Sequence, residues 1–514
     1  MTLSEHERYR QQQENFVSNH AGTTAQEVIF VLLPNICSIL LTTSILGLFR
    51  GKLSSNIRVI IEFSLTICPC ILCCTVLSEY LIHVCSSMLI VSLIAFLLIA
   101  TRKCPQLKEN VVPVQSKRLS FLTNFRALVN IITVVCILAV DFKVFPRKFA
   151  KTEVYGYSLM DTGVGLFIIA NALVAPEARN KMIDKKMALS EIIKSIISCM
   201  PFFVLGFWRF LAIEYLGYQK HITEYGVHWN FFLTLAFVKL FTSLIPKRIT
   251  CKYSLLSGIW LLMMYEYGLS NKDFKEWILS EGSRYDFVSA NREGLVSLPG
   301  YIGLYLIALS VGSVIHSTFQ NSKINSRKSQ EKSVLEIKLL KYNINVAYNQ
   351  SMILCIKLCL IASQALGVTI FCDSYFSVSR RLTNSGYCAW IITLSSTFLT
   401  LLVLVEIIIE IFIPHETKQI TPDIKVYTKR ANNQKLKKPV STQTFSETFE
   451  IFEAVNYNGL AFFLLANILT GTVNMSIKTL YTENTSAVNI LIAYMAINIF
   501  FVLACYRLKF QIKL

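Results

Sequence analysis

The sequence predicts an all-α protein, a polytopic transmembrane helical bundle of about 13 spans. Hydrophobic residues make up 53% of the 514 residues and charged residues only 16%, and the mean hydropathy of +0.50 is high for a globular protein. Apolar windows of about 20 residues, the length that crosses a bilayer, recur along the whole chain. Lys and Arg gather in the connections between these windows, as is typical of multi-pass membrane proteins.

The predicted spans follow one another at short intervals. They cover residues 28–49, 58–77, 81–101, 125–142, 158–176, 191–214, 229–245, 251–268, 297–319, 350–372, 387–413, 458–479 and 487–506. Residues 1–27 are polar and lack the pattern of a cleaved signal peptide, so the first helix is expected to direct its own insertion. We expect residues 28–514 to form one membrane-embedded domain, with flexible cytoplasmic loops near 320–348 and 414–456.

The distribution of Lys and Arg predicts which face is cytoplasmic, because cytoplasmic loops carry the excess of these residues. The basic connections alternate with shorter or mixed ones, and they cover residues 50–58, 101–126, 177–190, 246–252, 321–341 and 414–456. This pattern predicts a lumenal N-terminus and a cytoplasmic C-terminus. The net charge of +18 is therefore interpreted as a topology signal, and no nucleic acid partner is expected.

One connection assigned to the lumen breaks this rule. The stretch "LAVDFKVFPRKFAKTEVYG" ends a span on Asp141 and continues with four cations, Lys143, Arg147, Lys148 and Lys151. An ionisable residue at the end of a span costs free energy unless it is paired or hydrated, which makes Asp141 a functional candidate. Its alternative role is an ion pair with Lys143 or Lys151. The cations suit either lipid head groups or a bound substrate.

Other polar strings fall in or beside the connections of the same face, among them "HITEYGVHWN", "SANREG", "SVSRRLTN" and "MDTGVG". The residues chosen from all these stretches as candidates for substrate binding are Arg147, Lys148, His221, His228, Asn230, Asn291, Arg292, Arg380, Arg381 and Asn474. No metal is expected, because the two histidines match no standard zinc spacing. A scaffold role is the alternative for each residue, but the convergence of several clusters on one face favours a site there.

A carboxylate near a lysine suits the abstraction of a proton from a hydroxyl group, with the lysine stabilising an oxyanion. Acyl transfer to an alcohol uses both roles. Nearby arginines suit a phosphate or a polyol. No lumenal connection contains a GxSxG elbow, and no Cys and His pair suggests a covalent acyl-enzyme, so direct transfer is preferred.

Several long strings indicate a particular protein family as well as a type of chemistry. They are "LAVDFKVFPRKFAKTEVYGYSLMDTGVG", "EYGVHWNFF", "SANREG", "SVSRRLTN" and "NGLAFFLLANILTGTVNMS". In these strings the chain resembles the GPI-anchor inositol acyltransferases, the family of the fungal GPI-anchored wall transfer protein and the animal phosphatidylinositol-glycan class W protein. The likeness begins at "ENFVSNHAGTT" and reaches the last helix, so it covers nearly the whole chain.

The resemblance implies an enzyme of the endoplasmic reticulum membrane that moves a fatty acyl group, usually palmitoyl. The donor would be acyl-CoA as co-substrate, without a further cofactor, and the acceptor would be the inositol 2-hydroxyl of glucosaminyl-phosphatidylinositol. The aspartate of "LAVDF" and the second lysine of "FPRxFAK" look like the catalytic pair, which are Asp141 and Lys151 here. Lys148 stands where the family usually has arginine. This difference keeps the charge but loses the bidentate geometry with which arginine binds phosphate.

Two functions of other classes stay open on the residues alone. The number of spans and the glycines of "MDTGVG" and "LTGTVN" also fit a multispan transporter or lipid flippase, although the sequence shows no internal repeat. A structural assembly subunit without catalysis is the other alternative. The residues also leave the roles of Asp141 and Lys151 exchangeable, and they indicate no particular protein partner.

Overall fold

A computed structural model describes residues 5–18, 20–49, 53–101, 119–179, 189–216, 222–280, 282, 284–325, 334–339, 342–347, 349–412 and 449–512. In chain order its helices are α1 Glu5–Val17, α2 Ala25–Phe49, α3 Ser55–Glu62, α4 Cys68–Cys74, α5 Leu81–Thr101, α6 Ser120–Ala139, α7 Thr162–Ala172, α8 Leu189–Leu216, α9 Ile222–Tyr225, α10 Phe231–Leu244, α11 Lys247–Lys252, α12 Ser254–Leu269, α13 Lys272–Leu279, α14 Phe287–Ala290, α15 Arg292–Val296, α16 Leu298–Asn325, α17 Gln350–Phe376, α18 Ser385–Phe412, α19 Glu450–Tyr457, α20 Gly459–Ser476 and α21 Asn484–Arg507.

The prediction of a polytopic helical bundle is confirmed. Among the described residues, 10 helical stretches are long and apolar enough to cross a membrane, and α7 and α10 are shorter apolar helices. One of the long stretches joins α3 to α4 through a π-helical turn at Phe63–Ile67. Each predicted window contains a helix, but several are too short to count as spans, so the number of about 13 crossings stays a prediction.

The burial of each helix follows from its place in the bundle. The spans formed by α2 and α6 are 78% and 72% buried, whereas those of α8 and α17 are 11% and 17% buried although they are also apolar. An apolar helix with an exposed surface suits contact with lipid, because lipid tails solvate apolar side chains. The core therefore contains α2 and α6, and α8 and α17 lie at the periphery, where α8 packs on α10 and α17 on α18.

Part of each segment predicted to be a flexible loop has regular structure. Antiparallel strands β1 Val334–Leu339 and β2 Tyr342–Ala347 form a hairpin within the first segment. Most of α19 lies within the second, where Ile451, Phe452, Ala454 and Val455 are buried. The prediction of a loop up to residue 456 differs from the structure because these apolar side chains give α19 a face that packs on α6 and α21.

Several of the connections predicted to be lumenal meet at one end of the bundle. The ring of Tyr9 in α1 lies 5.5 Å from that of Tyr481, and Thr23 pairs with Tyr157 in an isolated β-bridge. The backbone N–H of Gly156 donates to the carbonyl of Val378 at 2.9 Å. These contacts bring residues from distant parts of the sequence around the connection that follows α6. Cys372 and Cys388, which flank another of these connections, are free thiols.

Candidate active site

A cavity of about 1080 Å³ lies between α6, α7, α8, α10, α18 and α20. Its polar lining includes Asp141, Lys151, Arg209, Glu224, His228, Asn230, Arg380 and Asn467. The apolar lining includes Val129, Ile132, Leu166, Phe167, Phe232, Phe398 and Phe463. The cavity therefore joins a charged region near the end of α6 to an apolar region along the bundle, a shape that suits an amphipathic ligand.

Arg147 fixes the backbone on which Asp141 lies. Its guanidinium donates hydrogen bonds to carbonyl groups that follow the end of α6, those of Val140 at 2.9 Å, Phe142 at 3.1 Å and Phe145 at 2.9 Å. The last carbonyls of a helix have no partner within the helix, and a cation there also interacts favourably with the helix dipole. Nε and Nη2 of Arg147, a residue predicted to bind substrate, are therefore directed to its own connection, whereas its Nη1 has no hydrogen-bond partner among the described residues.

Asp141 follows α6 directly and faces the cavity. Its Oδ2 accepts a hydrogen bond from the side-chain amide of Asn474 in α20 at 2.7 Å. Burial raises the pKa of Asp141 to about 6, although the Asn474 hydrogen bond and the charges of Arg147 and Lys151 lower it. The group is thus a carboxylate near neutral pH, but a more basic one than an exposed aspartate.

The alternative role for Asp141, an ion pair with a neighbouring lysine, is not found among the described residues. The ammonium group of Lys143 lies 5.9 Å from the ring centroid of Tyr481. Lys151 instead places its Nζ 2.7 and 2.8 Å from the two carboxylate oxygens of Glu224. Asp141 and Lys151 therefore line the same cavity with different partners.

Glu224 links Lys151 to Arg380, whose Nη1 lies 3.4 Å from Glu224 Oε1. Burial alone would raise the pKa of Glu224, but the charges of Lys151 and Arg380 outweigh it and lower the pKa to about 2. Glu224 is therefore ionised throughout the neutral range. It neutralises one of the cations beside the cavity and fixes the ammonium group of Lys151.

Asp161 completes this network on the other side of Arg380. The two form an ion pair with 2.8 Å between Arg380 Nε and Asp161 Oδ1. The second carboxylate oxygen of Asp161 accepts hydrogen bonds from the backbone N–H and the hydroxyl of Thr152, at 3.1 and 2.7 Å. Burial lowers the pKa of Arg380, but Glu224 and Asp161 outweigh it and raise the pKa. We call Lys151, Glu224, Arg380 and Asp161 the charge chain.

Arg292 and Arg381 belong to a second cluster, which lies outside the cavity lining. Both are buried, at 1% and 5% exposure, and both pair with Glu293, with N–O distances of 3.8 and 3.1 Å. Arg284 also pairs with Glu293 at 2.6 Å. Arg381 therefore joins the α17–α18 connection to α15, while Arg292 pairs with its neighbour in α15. Both were predicted to bind substrate, and neither lines the cavity.

Asn291 and Asn230 organise the backbone around His228. The side-chain oxygen of Asn291 accepts the backbone N–H groups of His228 and Trp229 at 2.8 and 3.0 Å. Asn230 caps α10, because its oxygen accepts the N–H groups of the first turn, and it donates to the carbonyl of Gly206 at 2.8 Å. His228 and Asn230 line the cavity, whereas Asn291 does not and contacts the backbone N–H groups and, at 3.4 Å, the ring Nδ1 of His228.

The remaining candidates have separate positions. Lys148 forms an ion pair with Glu27 at 3.2 Å, in which both side chains are more than a third exposed. Such a pair contributes little to stability. Asn474 contacts Asp141, as described above. His221 lies outside the described residues.

Sequence reasoning missed Arg209, which lines the cavity from α8. Its signal was present, because an arginine inside a predicted span is costly and usually functional. Glu224 and Asp161 lie within polar strings that the sequence singled out, but they were not chosen as candidates. Their importance depends on partners far away in the sequence.

The whole chain was compared with known protein families and with individual proteins. The GWT1 family model matches residues 9–505 of this chain. A glucosaminyl-phosphatidylinositol-acyltransferase PIGW of Bos taurus is 32% identical over 95% of this chain and 96% of its own length. A GPI-anchored wall transfer protein 1 of Candida albicans is 31% identical over 94% and 95%, and the PIGW protein of Homo sapiens is 29% identical over 97% and 98%.

Replacement of Arg147 should destabilise the fold. Arg147→Met removes the hydrogen bonds to the carbonyl groups that follow α6, and buried acceptors left without partners cost roughly 1–3 kcal/mol. We expect a lower thermal midpoint for the purified protein in detergent. Arg248→Met is the matched control, because Arg248 is exposed. Equal midpoints for the two variants would show that Arg147 does not hold this backbone.

The ion pairs of Glu224 should make stability depend on pH. The folded-state pKa of about 2 is lower than the ordinary value of 4.5, so the stabilisation is complete above about 4.5 and is lost as the pH falls towards 2. Over this range the thermal midpoint of the wild type should fall more than that of Glu224→Gln. Parallel curves for the two proteins would contradict the assigned ion pairs.

Proposed function

Because the chain belongs to the GWT1 family, we propose that its cavity is the site at which a fatty acyl group is transferred to the inositol ring of glucosaminyl-phosphatidylinositol. The family match spans residues 9–505, and relatives named as acyltransferases align over nearly their whole length. The chain is thus an inositol acyltransferase of GPI-anchor biosynthesis, and the family resemblance seen in the sequence is confirmed.

The proposed site rests on the position of Asp141 and Lys151 at the charged end of a cavity that also has a long apolar wall. Asp141 is the proposed general base. Its pKa of about 6 leaves it ionised at neutral pH but closer to the pKa that favours proton transfer than an ordinary aspartate. Since Asn474 holds Oδ2, Oδ1 is the oxygen that would accept the proton of an inositol hydroxyl, which we take to be the 2-hydroxyl.

Lys151 is the proposed stabiliser of the negative charge that develops on the thioester carbonyl oxygen. An ammonium group has three donors. Two short contacts to Glu224 occupy donors of Lys151 and leave one for a substrate oxygen. Glu224 therefore orients the ammonium group, and the preorganised cation requires little rearrangement when the oxyanion forms.

The reaction follows as a direct transfer. The inositol oxygen loses its proton to Asp141 and forms a bond with the acyl carbon, which gives a tetrahedral intermediate whose oxyanion faces Lys151. The carbon–sulfur bond then breaks, and the CoA thiolate leaves and takes up a proton. The proton can return from Asp141, so that the carboxylate is restored for the next cycle.

The apolar part of the cavity suits the acyl chain of an acyl-CoA donor. On α6 the lining residues run from Val129 to Ile137, and Val140 and Asp141 follow just beyond the end of the helix. An apolar wall that leads to the charged groups suits a long fatty acyl chain, which we take to be palmitoyl.

The location follows from the pathway and from the charge distribution. The chain is a multi-pass membrane protein, and we place it in the endoplasmic reticulum membrane with its N-terminus in the lumen and its C-terminus in the cytoplasm. The cavity then opens near the lumenal face. The alternative of a transporter or flippase loses its support, because the relatives are named as acyltransferases or as wall transfer proteins.

Replacement of the proposed base tests this assignment. Asp141→Asn keeps the size of the side chain but removes its basicity, and general-base catalysis contributes roughly 10²–10⁴-fold to a rate. We expect a loss of this order in the acylation of glucosaminyl-phosphatidylinositol by purified protein supplied with palmitoyl-CoA. Asp273→Asn is the matched control, because Asp273 is exposed in α13. Full activity of Asp141→Asn would exclude Asp141 as the base.

The pH dependence of kcat/KM provides a second test. Because the base acts in its ionised form, activity should fall as the pH decreases through about 6, the pKa of Asp141. The Asn474 hydrogen bond lowers this pKa, so Asn474→Ala should move the acidic limb of the profile to higher pH. An acidic limb near the ordinary aspartate value of 3.8, unchanged in Asn474→Ala, would assign the titration to another group.

A further inference from the structure

Arg209 is a cation of the cavity that the mechanism above does not use. Leu205, Trp208 and Arg209 line the cavity at helical positions i, i+3 and i+4, so they share one face of α8. A charged side chain within a membrane-spanning helix is costly unless it has a partner. Within the described residues its hydrogen bond is a long one, 3.4 Å from Nη1 to the neutral side-chain oxygen of Asn467, and the carboxylate of Glu224 is close enough for the charge of Arg209 to help lower its pKa.

Arg380, the other arginine of the cavity lining, has stronger partners, and so do Arg381 and Arg147 outside the lining. Arg380 is held between Asp161 and Glu224, and Arg381 is paired with Glu293. Arg147 donates to backbone carbonyls. Among the contacts that the structure describes, Arg209 is therefore the cavity arginine whose guanidinium is best placed to receive an anion.

Helix α20 relates Arg209 to Asp141. Asn467 contacts Arg209 and Asn474 contacts Asp141, and the two asparagines are seven residues apart, about 10 Å along one helix face. Asn474 lies near the end of α20, whereas Asn467 lies near its middle. Arg209 therefore lies nearer than Asp141 to the middle of the bundle, measured along the axis of α20.

The cavity is open to the outer surface of the bundle between α8 and α20. Trp208, Ile468 and Met475 line the cavity and are nevertheless 70%, 66% and 72% exposed. In a bilayer these side chains would contact lipid tails. A phospholipid can thus enter sideways, with its head group in the cavity and its tails remaining in the bilayer.

We propose that Arg209 binds the phosphodiester of the inositol phospholipid acceptor and so positions the ring hydroxyl at Asp141. This inference rests on the proposed function. In such a lipid the phosphate lies between the ring and the tails, and it is attached next to the 2-hydroxyl. A separation of about 10 Å accommodates a guanidinium–phosphate contact, part of the ring and a hydroxyl–carboxylate contact.

Arginine suits this role because its planar group binds phosphate oxygens in a bidentate manner. The phosphates of acyl-CoA offer the same chemistry from a second source. The lateral opening between α8 and α20 favours the lipid, because a phospholipid needs a path for its tails, whereas CoA is soluble in water.

The test is a kinetic comparison of Arg209→Gln and Arg209→Lys in the purified full-length protein. Loss of a charge-assisted contact should raise the KM for glucosaminyl-phosphatidylinositol roughly 10- to 100-fold in Arg209→Gln. Arg209→Lys should recover part of this loss, because it keeps the charge. The KM for palmitoyl-CoA and kcat at saturating lipid should stay close to wild type. Arg248→Gln, at an exposed arginine, is the matched control.

An acceptor without phosphate shows whether the effect of Arg209 depends on the phosphodiester. Glucosaminyl-inositol lacks the phosphodiester, so wild type and Arg209→Gln should acylate it with equal kcat/KM. A higher KM for palmitoyl-CoA alone would assign Arg209 to the donor and overturn the proposal. An equal loss of kcat with both acceptors would indicate a structural role and would also overturn it.

The outcomes separate this inference from the assignment of the base. If Asp141→Asn retains activity while Arg209→Gln weakens the binding of the phospholipid alone, Arg209 keeps its role and Asp141 loses its own. If Asp141→Asn is inactive and Arg209→Gln has wild-type kinetics with both acceptors, the catalytic assignment stands and the proposal for Arg209 is wrong.

Discussion

The geometry of the cavity depends on the charge chain of Lys151, Glu224, Arg380 and Asp161. These alternating charges come from three separate parts of the sequence, because Lys151 and Asp161 share the connection after α6, and Glu224 and Arg380 are 156 residues apart. Removal of one member of a buried ion-pair network leaves an uncompensated charge in a medium of low dielectric constant, which is strongly destabilising. The chain therefore requires its connections to pack together, and it holds Lys151 beside the cavity with little conformational freedom.

Contacts within the protein also account for the cations after α6. They occur on a face where the charge distribution predicts few, and the structure gives each a protein partner. Arg147 binds backbone carbonyls, Lys148 pairs with Glu27 and Lys151 pairs with Glu224. Lys143 lies near the ring of Tyr481. Within the described residues, carbonyl, acidic and aromatic groups of the protein thus contact each cation of this stretch.

Asp141 has a different environment, and the difference separates the chemical roles. It lies where the charged region meets the apolar wall of the cavity, so burial raises its pKa, whereas the lysine and arginine beside Glu224 lower the pKa of that carboxylate. One carboxylate is thereby suited to accept a proton and the other to orient a cation. The opening between α8 and α20 gives this pair access to a membrane-embedded substrate, and Arg209 lies along the path.

The sequence by itself determined the helical membrane class, the positions of the long apolar helices, the family, and Asp141 and Lys151 as candidates. These features depend on local hydrophobicity and on contiguous strings of residues. Only the tertiary structure decided which partner each charge has: Arg292 and Arg381 face Glu293, and Arg209 faces the cavity. Lys151 and Glu224 are 73 residues apart, so their pairing arises from the packing of the helices and has no local signal in the sequence.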